Sequence, residues 1–285
     1  MNYSKLFKEI NKLDKKYNIK TIGQSLLGRK IWAVEKFLSE DFFTAIFVAS
    51  VHAREHITTD LVMKFLEDGL FDKITEFNIA VVPMLNPDGV ELSYFGLGSV
   101  INENIRQNLI KLNRESLDFR LWKANARGVD INNNFNANFG TNISSNVPAS
   151  QGFAGEHFES ELETRALINY TKKVKPFFAV AYHSKGEEIY YNFFQKQKDL
   201  ERDSIIAEKF ANSTGYVIKN VESVSSGGYK DWCVQSLKIP AITIEVGNDN
   251  LTHPINESHL NEIYQRHKTV ATDVQFAYNV FRKYR

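Results

Sequence analysis

The sequence has almost no cysteine, since Cys233 is the only one among 285 residues, and this excludes an intramolecular disulfide. It has no excess of either charge, because 35 basic and 34 acidic residues leave a net charge of +1. Without a basic stripe, nothing indicates nucleic acid or an anionic membrane as a partner. No apolar run approaches the roughly 18 residues that cross a bilayer, and the first residues lack the apolar run of a signal peptide. We therefore expect a cytoplasmic protein, although removal of a leader or a further domain would leave the same pattern.

The hydrophobic content, 43%, is enough for one large core or two small ones. Neither an internal repeat nor a low-complexity linker divides the chain, so we expect a single domain over residues 1–285. Apolar runs typical of strands alternate with segments of helical periodicity, which predicts an α/β fold with a largely parallel sheet. The predicted strands are 31–37, 43–50, 77–82, 177–182, 189–194 and 241–246. The predicted helices are 4–17, 58–68, 160–173, 200–214, 231–237 and 260–278.

Between residues 86 and 151 this periodicity gives way to Asn, Gly, Ser and Pro. A loop of that length in a compact domain is usually functional or disordered. Because this one contains Arg127, Asp130 and a cluster of asparagines, we expect it to form a wall of the functional site.

The most informative local pattern is a His and a Glu three residues apart, His52 and Glu55, directly after a run of apolar strand formers. Three residues are nearly one helical turn, so both side chains can point the same way. Imidazole nitrogen and carboxylate oxygen are both good zinc ligands. The spacing also occurs in solvent-exposed turns, so this pattern alone does not decide between a metal site and a turn.

Two further polar residues end apolar runs. His183 follows the run 177–182, and Glu245 lies at the end of the run 239–244. Open α/β sheets hold their ligands at the carboxyl ends of strands, and a buried carboxylate is costly unless it is paired or has a task. Two histidines and one carboxylate would form an open zinc site, and the remaining carboxylate could act on a bound water.

Seven short motifs in this chain resemble, in order, those of the zinc carboxypeptidases of the carboxypeptidase A type. Each motif alone is weak, and their common order makes the resemblance specific. They are Gly28-Arg29-Lys30-Ile31, His52-Ala53-Arg54-Glu55, Asn86-Pro87-Asp88-Gly89, Gly128-Val129-Asp130-Ile131-Asn132, Tyr182-His183-Ser184, Ser226-Gly227-Gly228 with Asp231-Trp232, and Thr243-Ile244-Glu245.

The resemblance implies a mixed, mostly parallel sheet of about eight strands with helices on both faces. It implies one Zn²⁺ per chain, held by His52, Glu55 and His183. Glu245 would take a proton from the zinc-bound water and pass it to the leaving amine.

Three more positions acquire roles from the same resemblance. Arg127 would stabilise the oxyanion of the tetrahedral intermediate. Arg54 and Asn132 would belong to the substrate-binding residues.

The sequence departs from a carboxypeptidase at the residues that hold a C-terminal carboxylate. The family's Asn-Arg pair reads Asn132-Asn133 here, and asparagine lacks the charged fork of arginine. The tyrosine that closes over the substrate aligns with Ser223. Lys230 occupies the position that sets the side-chain pocket after the scissile bond, where a lysine favours an anionic group unless it pairs with Asp231 or faces solvent.

Together these features resemble the bacterial branch of the family, which cleaves the γ-D-glutamyl bond to meso-diaminopimelate in peptidoglycan stem peptides. The resemblance implies a peptide or muropeptide substrate, with Asn133 and Lys230 among the residues that bind it. A carboxypeptidase that releases an acidic C-terminal residue is the alternative enzyme, and a catalytically silent peptide-binding module is the alternative of another class. The sequence does not indicate an oligomeric state.

Overall fold

A computed structural model describes residues 1–13, 15–141, 143–219 and 227–285. Eight strands form one sheet in these residues, in the order β1-β2-β4-β3-β5-β8-β6-β7. The strands are β1 (Asn18–Gln24), β2 (Lys30–Lys36), β3 (Thr44–Val48), β4 (Asn78–Val82), β5 (Pro176–His183), β6 (Glu188–Tyr190), β7 (Val217–Ile218) and β8 (Ala241–Glu245).

The centre of the sheet is parallel. Strand β3 pairs in parallel with β4 and β5, and β5 pairs in parallel with β8. Strands β1, β2 and β6 add antiparallel pairings toward the edges, and β7 pairs in parallel with β6. Every residue of β3 and β4 is buried, as expected for parallel strands covered on both faces. The predicted α/β fold with a mixed, mostly parallel sheet is confirmed.

Helices cover both faces of the sheet. Alternate strand residues point to opposite faces, so Phe47 packs in one apolar cluster with α1, α2, α6, α8 and α9, while Ile46 and Val48 pack in another with α5 and α7. No helix in the described ranges is both long and apolar enough to cross a membrane. The helices are α1 (Tyr3–Lys12), α2 (Ile57–Glu67), α3 (Pro87–Phe95), α4 (Glu103–Leu112), α5 (Leu162–Lys173), α6 (Gln197–Thr214), α7 (Tyr229–Trp232), α8 (Leu260–Arg266) and α9 (Val270–Tyr284).

The prediction of an irregular loop over 86–151 was wrong in its first part, because α3 and α4 lie there. Helix α3 begins at the N-cap Asn86, whose side chain accepts a hydrogen bond from the N–H of Gly89, and Pro87 stands in its first turn. Seven of its nine residues are buried, so its sequence shows no polar face. Helix α4 is mostly exposed, with only Leu109 buried. Helical periodicity is therefore weak in α3, whereas in α4 the prediction overlooked Ile105, Leu109 and Leu112, which recur at helical spacing and pack in one apolar cluster.

Other elements were missed or differ in extent from the prediction. Strand β1 was not predicted because it is an exposed edge strand without apolar alternation, and β7 has only two residues. Strand β6 ends at Tyr190, so the predicted strand 189–194 was too long. The predicted helix 231–237 begins at Tyr229 and continues beyond α7 as one π-helical turn. The predicted helix 260–278 is two helices, interrupted where the buried His267 places Nδ1 2.8 Å from the carbonyl oxygen of Ile263.

Candidate active site

The chain after β3 forms a tight turn that aims His52 and Glu55 to the same side. Ser50 has a positive φ of 44°, and its N–H donates to Thr58 Oγ1 at 2.9 Å. A short 3₁₀ turn, Ala53–Glu55, then leads into α2. As a result, His52 Nδ1 lies 2.8 Å from Glu55 Oε1.

The third group of the cluster comes from the neighbouring strand. His183 is the last residue of β5, and its Nδ1 lies 3.0 Å from Glu55 Oε2 and 3.1 Å from His52 Nδ1. The carboxyl ends of the parallel strands β3 and β5 thus bring together residues 131 positions apart. All three side chains are buried.

These three residues fit a zinc ion. One ligand atom from each lies within 4.8 Å of the other two, and the donors are two imidazole nitrogens and a carboxylate. Neighbouring ligand atoms of a tetrahedral zinc are about 3.3 Å apart when Zn–N bonds are about 2.0–2.1 Å. The observed separations of 2.8–3.1 Å are close to that value, so the cluster needs little adjustment to coordinate the metal. Three protein ligands leave the fourth position open, as in catalytic zinc sites.

Asp130 holds the other side of His52, a contact that sequence reasoning missed. Its Oδ1 lies 3.1 Å from His52 Nε2, and its Oδ2 lies 3.1 Å from Lys123 Nζ and accepts the N–H of Gly152 at 3.2 Å. A carboxylate on the far nitrogen orients a histidine ligand and makes it more basic. The sequence placed Asp130 in the loop expected to line the site and in the motif that ends at Asn132, but it did not indicate this contact.

The charges of the cluster favour a bound cation. Burial alone would lower the pKa of His52, but the carboxylates of Glu55 and Asp130 outweigh it and raise that pKa. Burial alone would raise the pKa of Glu55, yet the facing His52 and His183 hold it well below its usual range. Glu55 is therefore ionised. A proton bound between the His52 and His183 rings would occupy the position of a metal ion, so the two compete for it.

Glu245 lies directly opposite His183 in the parallel pairing of β5 and β8. Their side chains therefore share one face of the sheet. Burial, reinforced by the negative charge of Glu55, raises the pKa of Glu245 to about 8. A divalent cation held by the cluster would lower this pKa toward neutrality. Glu245 thus stands beside the ligands as a carboxylate able to accept and return a proton.

Comparison with known proteins identifies the family. A sequence model of the zinc carboxypeptidases matches residues 4–269. The chain belongs to the zinc carboxypeptidase family. Members are zinc metallopeptidases that use one Zn²⁺, and the cluster of two histidines and a glutamate is able to bind it.

One curated relative and two solved structures illustrate what this chain is similar to. The gamma-D-glutamyl-L-diamino acid endopeptidase 1 of Lysinibacillus sphaericus is 31% identical over 284 residues, a match covering 93% of this chain and 69% of that protein. The solved structure of thrombin-activatable fibrinolysis inhibitor has a TM-score of 0.78 at 18% identity, covering 98% of this chain and 73% of that one. Murein-tripeptide amidase MpaA from Escherichia coli O157 has a TM-score of 0.60 at 21% identity, covering 94% of both chains. At these identities the two structures show the shared fold.

Arg127 lies in a loop held by buried carboxylates. Asn125 Oδ1 accepts the N–H of Arg127 at 2.9 Å, and Asn125 Nδ2 donates to Glu161 at 2.7 Å and Glu163 at 3.3 Å. The Arg127 guanidinium is half exposed and lies 3.8 Å from Glu161 Oε1. Burial raises the pKa of Glu163 to about 8. The oxyanion role of Arg127 stays a prediction, because these contacts position its loop without bringing its guanidinium onto the metal ligands.

Asn132 and Asn133 lie on the 3₁₀ turn Ile131–Asn133, next to Asp130. Asn132 Oδ1 accepts the N–H of Tyr229 at 3.2 Å. Gly227, with φ 70°, approaches Asn133 so closely that a Cβ there would lie 2.6 Å from the Asn133 carbonyl oxygen. The glycine thus allows the two segments of the predicted substrate site to touch.

Lys230 is buried and its charge is already paired. Its Nζ contacts a carboxylate oxygen of Asp231 and donates to the carbonyl oxygen of Asn192 at 2.8 Å. It also lies 5.5 Å from the centre of the Phe193 ring. The pairing with Asp231 that the sequence left open is therefore present. Contacts within the described part of the chain account for two of the three ammonium hydrogens, so a substrate role for Lys230 depends on the third.

Arg54 reaches along the surface beside the ligand turn. Its guanidinium donates to the carbonyl oxygen of Leu121 and to Gln151 Oε1, both at 3.3 Å. Its substrate-binding role stays a prediction. Ser223 and Ser226, which entered the sequence comparison, lie outside the described residues.

Proposed function

We propose that this metallopeptidase hydrolyses the γ-D-glutamyl–meso-diaminopimelate amide of peptidoglycan stem peptides. The observation that carries the proposal is that the candidate metal ligands and Glu245 are all present, while the residues expected to bind the substrate differ from those of a carboxypeptidase. Asn133 stands where a carboxypeptidase has an arginine, and a buried Lys230 stands at the position that sets its side-chain pocket. The 31% identical relative supports it, because its name describes an endopeptidase acting between γ-D-glutamate and a diamino acid.

The residues of the site divide the work of hydrolysis. Zinc, when bound, supplies the Lewis acidity that polarises the scissile carbonyl and makes water more acidic. Glu245 takes the proton from the attacking water and returns it to the nitrogen of the leaving amine. Asp130 keeps the His52 ring in the orientation in which Nδ1 faces Glu55 and His183. Arg127 places a positive charge for the oxyanion after movement of its half-exposed side chain.

The substrate assignment follows from charge. Diaminopimelate carries an ammonium and a carboxylate at the far end of its side chain, and the third N–H of Lys230 can donate to that carboxylate. Asn133 can accept and donate hydrogen bonds but cannot provide the bidentate fork that fixes a C-terminal carboxylate. The site therefore suits a substrate recognised through its side chain.

One experiment separates this function from the alternative enzyme. The zinc-loaded protein is incubated with L-Ala-γ-D-Glu-meso-diaminopimelate and, separately, with a peptide ending in Glu, and the products are identified by mass. We expect free diaminopimelate from the first substrate and little release of Glu from the second. Rapid release of Glu with no cleavage of the first would instead support an acidic carboxypeptidase, which the positive charge of Lys230 also favours. No cleavage of either would support the silent binding module.

A further inference from the structure

A second carboxylate lies next to Glu245, on the strand at its other side. Glu188, the first residue of β6, is directly opposite Glu245 in the antiparallel pairing of β6 and β8, and Tyr190 is opposite Thr243. Directly opposed side chains share a face, with Cβ atoms about 4.5–5.5 Å apart. Glu188 therefore projects on the face that carries His183 and Glu245.

The surroundings of Glu188 already hold a cation. Its Oε1 lies 3.1 Å from Lys219 Nζ, and its Oε2 accepts the hydroxyl of Tyr190. The Glu188 side chain is 18% exposed, whereas that of Lys219 is 47% exposed. An ionised carboxylate has about four lone-pair sites. Glu188 can thus accept a further ammonium or exchange Lys219 for one, and giving up so exposed a pair costs little.

The same segment of chain also reaches Lys230. Two residues after Tyr190, the carbonyl oxygen of Asn192 accepts from Lys230 Nζ, and the Phe193 ring lies 5.5 Å from it. One end of segment 188–193 is thus the Glu188 carboxylate, on the strand next to Glu245. The other end contacts the buried Lys230 ammonium. This segment carries a negative group at one end and contacts a positive group at the other.

We propose that Glu188 binds the distal ammonium of a diamino acid on the leaving side of the scissile bond, while Lys230 binds the distal carboxylate. This inference rests on the proposed function and deepens it. A zwitterionic side-chain end needs one partner of each charge, and unpaired burial of either charge is costly. The pair selects a diamino acid over glutamate, whose side chain offers nothing to Glu188 and adds a repelling charge.

Three substrates test the two charges separately. Each is a γ-D-glutamyl amide that differs only in the leaving residue: meso-diaminopimelate has both distal groups, lysine has only the ammonium, and 2-aminopimelate has only the carboxylate. We expect E188Q to lower kcat/KM about tenfold or more on the diaminopimelate and lysine amides and much less on the 2-aminopimelate amide. K230A should show the mirror pattern, with its loss on the two amides that carry the distal carboxylate.

The comparison between substrates removes an indirect effect. Loss of the Glu188 charge also changes the pKa of its neighbour Glu245, but that change alters the rate on all three amides alike. E187Q is the matched control, because Glu187 is the adjacent carboxylate and lies 3.8 Å from Arg266. It should leave the ratios among the three substrates unchanged.

Equal losses on all three amides in E188Q would overturn the inference while leaving the proposed function in place. The inference would also be overturned if E187Q changed the ratios of kcat/KM among the three amides as much as E188Q does. The effect would then come from the net charge of the segment. If the wild-type protein cleaves none of the three, the proposed function fails and this inference fails with it.

Discussion

Replacing Asp130 with asparagine tests whether zinc binding depends on the carboxylate that contacts His52. The side chain keeps its shape and one oxygen that can face His52 Nε2, now 3.1 Å from Asp130 Oδ1. What disappears is the negative charge shared between His52 and Lys123. We expect zinc affinity to fall about 10–100-fold, which corresponds to roughly 1.4–2.8 kcal/mol.

The same change has a second cost that concerns folding. Lys123 Nζ lies 3.1 Å from Asp130 Oδ2, and a quarter of the Lys123 side chain is exposed. Removing a partner of a fully buried pair costs about 3–5 kcal/mol. Because Lys123 keeps some contact with water, we expect Asp130→Asn to lower the free energy of unfolding of the metal-free protein by about 1–3 kcal/mol.

The two costs can be measured independently. Zinc affinity is obtained by competition with a chelator of known affinity, and stability by urea unfolding in excess chelator. In the double variant Asp130→Asn/Lys123→Met, stability should largely recover, since no unpaired ammonium remains, whereas zinc affinity should stay low. Unchanged zinc affinity in Asp130→Asn would refute the idea that this carboxylate supports His52. Recovery of affinity in the double variant would assign the effect to Lys123 instead.

Five further outcomes are expected. Alanine at any one of the three metal ligands should abolish stoichiometric zinc under mild chelation, measured by elemental analysis, and zinc retained by two of these variants would contradict the ligand assignment. Glu245→Gln should retain zinc but lower kcat by on the order of a hundredfold or more, and wild-type turnover would mean that another group accepts the proton. Lys230→Ala should lose at least about 1.5 kcal/mol of transition-state binding toward diaminopimelate peptides and much less toward lysine analogues. Asn133→Arg should not improve the reaction on diaminopimelate peptides and should raise activity on peptides with a free C-terminal carboxylate. The pKa of Glu163 is raised to about 8 in the folded protein, so its contribution to stability is fully present below the unfolded pKa of roughly 4.3 and is lost as pH rises toward 8. Glu163→Gln should remove roughly 2–4 kcal/mol of this pH dependence between pH 5 and 8. An unchanged profile of melting temperature against pH would show that Glu163 is ionised when folded.

The grouping of the three proposed metal ligands could be predicted because its signals are local. His52 and Glu55 lie in one turn, and His183 ends an apolar run that reads as a strand. Parallel strands bring their carboxyl ends to one edge of the sheet, so placing these residues together required only the alternation of strands and helices.

Other features could not be predicted because they depend on tertiary contacts. Asp130 meets His52 across 78 residues, and no periodicity encodes that pairing. Helix α3 is buried on nearly all sides, so it lacks the polar face by which a surface helix is recognised. For Lys230, the adjacent Asp231 was visible in the sequence, but the Asn192 carbonyl that completes its environment was not.

The direct opposition of His183 and Glu245 across β5 and β8 bears on how such a protein can diversify. A one-residue insertion or deletion within either strand would turn one of the two side chains to the other face of the sheet and separate ligand from base. Under the proposed roles of these two residues, such length changes abolish activity, whereas side chains in the segment after β6 can change without moving that pair. Descendants of such a chain can change which leaving residue they accept while inheriting the same hydrolytic apparatus, and new specificities should arise by substitution around residues 188–193 and 230 rather than by rebuilding the centre of the sheet.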